Sequence, residues 1–196
     1  MSQLELNKGD NFIFAIDVSG SMGTSDCPGG KARIDFLKEQ VITFAKEASK
    51  WDEDGIDVIA FGHNITPYKG VDAAKAESII GALQAKESAT NTAGVIQEAF
   101  NLHRAGKYEQ TVLFLATDGA PSDKNAVKEV IRGIAAELKD EHEFAISILT
   151  VGQIDAGLQA FLTELDDDLK AKHDIVDVKA LTDVNFIEAF AGALHD

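Results

Sequence analysis

Residues Asn11 to Met22 read NFIFAIDVSGSM. Phe12 to Ile16 are apolar without a break, and the run then gives way to Asp17, Ser19 and Ser21 at every second position. An uninterrupted apolar run of this length suits a strand buried on both faces, as the strands of parallel sheets are when helices cover them. The oxygens at its end call for a different reason. In open parallel sheets ligands gather beyond the carboxyl ends of the strands, at the crevice where strand order reverses, and that is where an acid and two hydroxyls following a first strand would stand.

The rest of the chain repeats the pattern of short apolar run and longer helical segment. Further strands are expected at Ile56 to Phe61, Val112 to Ala116, Phe144 to Val151 and Ile175 to Val178. A weaker one over Ile65 to Tyr68 follows the short link GHN, which predicts an antiparallel edge hairpin, and Pro67 suits an edge. Ile34, Leu37, Val41, Phe44, Ala45, Ala48 and Trp51 fall at steps of three and four, the stripe of a helix lying on a sheet. The same spacing recurs in Val127 to Leu138 and in Phe186 to Leu194, with Asp123 and Asp183 placed as N-caps. Helices are also expected over Ala74 to Leu83, Ala93 to His103 and Leu158 to Lys170. Alternating elements of this kind predict a three-layer α/β/α fold, doubly wound around a mostly parallel sheet with one antiparallel edge strand.

At 196 residues and 45% hydrophobic, the chain suits one globular domain spanning residues 1–196. No basic segment followed by an apolar one opens it, and no apolar run approaches the ~20 residues that cross a bilayer, so a cytoplasmic protein is expected. The net charge of −15 repels nucleic acid and anionic membranes and concentrates divalent cations. The single cysteine, Cys27, excludes an internal disulfide and a cysteine-built zinc site, and it reads as an incidental loop thiol. The run Asp166 to Asp168 reads as an exposed helix end, and His63, His103, His142, His173 and His195 as solvated surface.

Asp118 follows VLFLAT as Asp17 follows FIFAI, so if those two strands are neighbours both acids emerge at the same crevice. The segment SATNTAG, Ser88 to Gly94, supplies further hydroxyls at a helix entrance just before the Asp118 strand. Hydroxyl and carboxylate oxygens are hard ligands, which points to Mg²⁺, Mn²⁺ or Ca²⁺ rather than zinc, with octahedral Mg²⁺ the best fit. A site made chiefly of neutral hydroxyls leaves the ion a position for water or an incoming acid.

DVSGSM, Asp17 to Met22, resembles the Asp-x-Ser-x-Ser start of the metal-ion-dependent adhesion site (MIDAS) of von Willebrand factor type A (VWA) domains. Thr90 in TNT matches that family's metal-binding threonine and Asp118 in TDG its second acid, in the expected order. The resemblance implies a non-enzymatic protein-interaction module. In it Ser19, Ser21 and Thr90 contact the ion directly, Asp17 and Asp118 act directly or through water, and a Glu or Asp of a partner protein completes the shell. Compact bacterial, tellurite-resistance-associated VWA proteins are similar in extent, and the alternative they suggest is an adaptor subunit of an ATP-driven or metal-handling complex. The stretch MGTSDCPGGKARID, Met22 to Asp35, is longer than the link expected in the family and would sit beside the site.

Other readings of the same residues exist. Asp-x-Ser-x-Ser alone is also a turn signal, because these side chains bond to local backbone. Asn91 or Thr92, rather than a ligand, could be the helix N-cap. Ser19 to Gly23 nearly spells the Gly-x-Ser-x-Gly elbow of serine hydrolases, but it begins with Ser and follows the first strand rather than a series of them. The chain also lacks a Gly-x-x-x-x-Gly-Lys-Ser/Thr phosphate loop.

Overall fold

The computed structural model describes residues 11–49 and 55–183. Strand β1 (Asn11–Asp17) leads through two short 3-10 turns, Gly20–Gly23 and Pro28–Gly30, into helix α1 (Arg33–Ala48). There follow β2 (Ile56–Phe61), β3 (Ile65–Val71), α2 (Ala73–Gly81), α3 (Thr92–Gly106), β4 (Thr111–Thr117), α4 (Lys124–Glu137), β5 (Phe144–Thr150), α5 (Ala156–Asp167) and β6 (Val176–Ala180). The six strands form one sheet in the order β3-β2-β1-β4-β5-β6. All neighbours run parallel except β2 and β3, so the expected antiparallel edge hairpin is present, lengthened to Val71 and with a register shift between Ile56 and Val58.

Every residue of β1 is buried, as its unbroken apolar run requires. Phe12, Phe14 and Ile16 face a core closed by α1 and α2, while Ile13 and Ala15 face one closed by α3, α4 and α5. The two faces thus have their own cores, which is the three-layer arrangement. On the α1 side Phe14 stacks on Phe114 with ring centroids 4.8 Å apart and meets Phe44 at the same distance.

Local chemistry sets the helix starts. Asp72 and Asp123 each accept two backbone N–H groups at the first turns of α2 and α4, and Asp155 accepts one at the first turn of α5. Asn91 caps α3 by accepting from Gly94 N at 3.0 Å, which decides between the two cap candidates and leaves Thr92 inside the helix. Helix α5 ends three residues before the expected Lys170, and Lys170 itself is left-handed at φ 54°. The expected helix over Phe186 to Leu194 and Trp51 lie outside the described residues.

Two expectations are corrected. His103 is not solvated: it is buried, its Nδ1 lies 2.8 Å from Thr111 Oγ1, and its ring stacks against Phe100. Cys27 does not stand free in a loop; it is buried against the α1-side core, where burial pushes its thiol up. In the acidic run, Asp167 and Asp168 are exposed but Asp166 is half-buried, which pushes its carboxyl up, helped by the neighbouring Asp177.

Candidate metal centre

The chain moves from β1 outward to β2 and β3, then returns to the other side of β1 to build β4, β5 and β6. Strand order therefore reverses between β1 and β4, which pair in parallel from Asn11 with Thr111 to Ile16 with Ala116. Asp17 closes β1 and Asp118 follows β4, so both emerge at this crevice, as their positions after similar apolar runs anticipate.

Asp17 is fully buried. Its Oδ1 accepts from Ser19 N at 2.8 Å and its Oδ2 from Thr117 Oγ1 at 2.6 Å. Burial pushes the Asp17 carboxyl up from its ordinary value, and the hydrogen bonds from Thr117 and Ser19 oppose that shift. From Ser19 the polar chain continues outward: Ser19 Oγ lies 3.1 Å from Ser21 Oγ, and Ser21 Oγ donates to Asp118 Oδ1 at 2.8 Å. Ser21 is exposed whereas Ser19 and Asp118 are buried, so the cluster reaches the surface at Ser21.

Backbone hydrogen bonds lace the loops that carry these groups. Lys86 N and Glu87 N both donate to Val18 O at 2.9 Å, and Gly20 N donates to Glu87 O at the same distance. Asn91 N donates to Gly62 O at 3.0 Å, and Ser122 N to Thr90 O at 3.0 Å. Thr90, itself buried, is thereby fastened to the loop that follows Asp118, while Thr90 N donates to Ser122 Oγ at 3.3 Å. The neighbouring Thr92 is buried too, and its Oγ1 has no hydrogen-bond partner among the described residues.

The donor set suits a hard divalent cation. Among the described residues no three His, Cys, Asp or Glu side chains are placed to hold a metal ion by themselves. The cluster instead combines two carboxylates with hydroxyls, the composition that favours magnesium, manganese or calcium over zinc. The Ser19 and Ser21 hydroxyl oxygens, 3.1 Å apart, are spaced as neighbouring donors on an octahedral ion whose Mg–O distances of about 2.0–2.1 Å set their separation near 3 Å. Asp17, Ser19, Ser21 and Asp118 are joined by direct hydrogen bonds, and Thr90 is tied through its backbone to Ser122 in the loop that follows Asp118.

Arg33 and Asp26 belong to this cluster as well, although nothing in the sequence pattern around Asp17 marks them. Arg33 is the first residue of α1 and is buried. Its Nη1 donates to Asp118 Oδ2 at 2.8 Å, its Nε to Asp26 Oδ1 at 2.8 Å and its Nη2 to Asp26 Oδ2. Nη2 also donates to Gln153 O at 3.2 Å, and Gln153 N returns a bond to Asp26 Oδ2 at the same distance. The fork of Arg33 holds the Asp26 carboxyl down at about 2. Gly152, at φ 70°, passes directly beneath, where a Cβ would stand 2.3 Å from Arg33 Nε. One signal was available in the sequence: a cation in the first turn of a helix faces the positive end of the dipole, so an arginine there needs acidic partners.

A family model for the von Willebrand factor type A domain matches residues 12–121. No curated protein sequence matches the chain. Among solved structures, the manganese-loaded TRAP protein of Plasmodium vivax superposes with a TM-score of 0.64 at 15% identity, covering 92% of this chain and 72% of that one. The SpRpn10 VWA domain gives 0.58 at 16% identity, covering 88% and 89%. A von Willebrand factor type A protein from Catenulispora acidiphila gives 0.58 at 17%, covering 94% of this chain but only 41% of its own. At these identities the superpositions speak for the fold, and the fold and the family model agree: the chain belongs to the von Willebrand factor type A domain family.

Proposed function

We propose that this chain is a metal-dependent protein-binding module rather than an enzyme. Ser19, Ser21 and Thr90 offer hydroxyl oxygens to Mg²⁺, with Mn²⁺ or Ca²⁺ as substitutes, and Asp17 and Asp118 supply the negative charge around it. A Glu or Asp carboxylate from a partner protein then completes the coordination. The observation that carries this reading is the run of contacts Ser19–Ser21–Asp118, which leads from the buried end of β1 to an exposed hydroxyl at the sheet crevice. An ion held there supplies a Lewis-acidic anchor for an anionic group. That one relative is named as manganese-loaded supports the choice of a divalent cation.

What the chain's own groups do follows from their bonds. Asp17, with both oxygens occupied, holds the Ser19 backbone and Thr117 in place and adds charge without having to reach the surface. Ser21 donates its proton to Asp118 and so accepts from Ser19, which leaves one lone pair on its oxygen. Against hydrolase chemistry, the hydrogen bonds of Ser21 run to a hydroxyl and a carboxylate rather than to an imidazole.

Calorimetric titration of Mg²⁺, Mn²⁺ and Ca²⁺ into chelator-treated protein tests the reading, with Asp17→Ala and Thr90→Ala alongside. One saturable site lost in both variants is expected, together with carboxylate-dependent partner capture that chelator abolishes. Folded wild-type protein that binds none of the three ions would sink it.

A further inference from the structure

We infer that the guanidinium of Arg33 stands in for the ion, as the counter-charge on which Asp118 and the loops around it are assembled until a divalent cation binds. Arg33 is in this sense a positioning residue. The inference rests on the metal-site reading above and deepens it.

A chain that delivers Asp17 and Asp118 to one crevice brings two buried carboxylates together, and they repel. A buried carboxylate left without a partner is costly. Asp17 is met by neutral donors, Ser19 N and Thr117 Oγ1. Asp118 is met differently: its side chain is fully buried, and beside the Ser21 hydroxyl it has a cation, with Arg33 Nη1 at 2.8 Å. Among the described residues Arg33 is the only cationic side chain paired with either carboxylate.

Arg33 is itself fixed. Its Nε and Nη2 hold Asp26, Nη2 also donates to Gln153 O, its backbone N donates to Thr24 O at 2.9 Å, and Gly152 closes the space beneath it. The loop before α1, the loop after β4 and the loop after β5 therefore meet on one side chain, and they do so without the help of an ion.

Arg33 and the ion share one role. Three acids, Asp17, Asp118 and Asp26, surround a single guanidinium, so a divalent ion brings the cluster to neutrality. The two cations also repel each other across Asp118. Each lessens the need for the other, and by linkage whatever removes the charge of Arg33 raises the affinity for the ion. The stretch from Met22 to Asp35, which carries both Asp26 and Arg33, supplies this built-in cation.

The test measures thermal unfolding of the full chain in chelator and in saturating Mg²⁺, with Mg²⁺ affinity by calorimetry. Arg33→Gln is expected to unfold at a lower temperature than wild type in chelator, to recover most of the difference in Mg²⁺, and to bind Mg²⁺ about tenfold more tightly, within the usual range of coupling between two sites. Arg33→Lys keeps the charge, but a single ammonium cannot hold Asp26 and Asp118 together. It is expected to lose stability in chelator while binding Mg²⁺ within about threefold of wild type, which separates the charge from the packing of the fork. If Arg33→Gln does not fold, Arg33→Lys decides, and a tenfold rise in affinity there overturns the counter-charge role. A folded Arg33→Gln that gains no more from Mg²⁺ than wild type does overturns it too, and leaves the metal site standing. No Mg²⁺ bound by wild type overturns both.

Discussion

Replacing Gly152 by alanine is expected to destabilise the protein through the Arg33 fork rather than through the backbone alone. At φ 70° the backbone is left-handed, which costs an L-residue ~1 kcal/mol or slightly more. The new Cβ would also stand 2.3 Å from Arg33 Nε and 2.6 Å from Asp26 Oδ1. Arg33 has no room to yield without opening its 2.8 Å bond to Asp26, and a hydrogen bond between charged groups contributes ~1.5–3 kcal/mol. Because this pair is partly exposed, the lower half of that range applies, and the two terms sum to about 3 kcal/mol. For a chain of this size that lowers the melting temperature by about 6 to 12 °C. Gly29 provides the internal control: its φ is 78° but nothing lies within 4 Å of a Cβ there, so Gly29→Ala should lose only the backbone share of ~1 kcal/mol. Equilibrium urea unfolding followed by circular dichroism measures both. Equal losses in the two variants would refute the packing of Gly152 against the fork.

Two further expectations separate roles that the sequence left joined. Asn91→Ala should cost about 1 kcal/mol of stability through the lost cap of α3 while metal affinity, by calorimetry, stays near wild type; a large fall in affinity would place Asn91 rather than its neighbour among the ligands. Burial depresses the His103 imidazole below its ordinary 6.5, with Glu143 partly opposing. The unfolded chain therefore takes up that proton first, so the contribution of neutral His103 is present above pH 6.5 and is lost as pH falls through the folded value. Titration of the His103 ring by NMR checks the sign, and a midpoint at or above 6.5 would contradict it.

How far the sequence was legible depended on whether a signal was local. Phe12 to Ile16 and Val112 to Leu115 declare buried strands by composition, and the acids that follow them declare the crevice, because a doubly wound sheet delivers strand ends to one place. The spacing of Asp17, Ser19 and Ser21 sits within a few residues and could be read directly. Arg33 could not be read in the same way: its bond to Asp118 joins residues 85 apart, and its bond to Asp26 reaches back from the start of α1 into a loop with no periodicity. His103 was misjudged for a related reason. Its position at a helix end suggested solvent, but Thr111 at the start of β4 supplies a hydroxyl partner that only tertiary packing reveals. The TNT triplet remained ambiguous until the cap geometry of Asn91 was visible, since each of its residue types can serve as a cap.

The cluster around Asp17 is assembled from segments far apart in the chain: Asp17 with Thr117, Ser21 with Asp118, Asp26 with Gln153. The last of these pairs is separated by 127 residues. On a ribosome adding about 5–20 residues per second, Asp26 emerges roughly 6 to 25 s before Gln153 does. Until β4 is made, the apolar NFIFAI strand has only β2 to pair with, and its other edge stays open. The nascent chain thus offers an open hydrophobic edge to chaperones for much of its synthesis. No fragment that ends before Asp118 holds the whole oxygen cluster, so capture of a divalent ion by this protein would mark a polypeptide whose translation has passed β4.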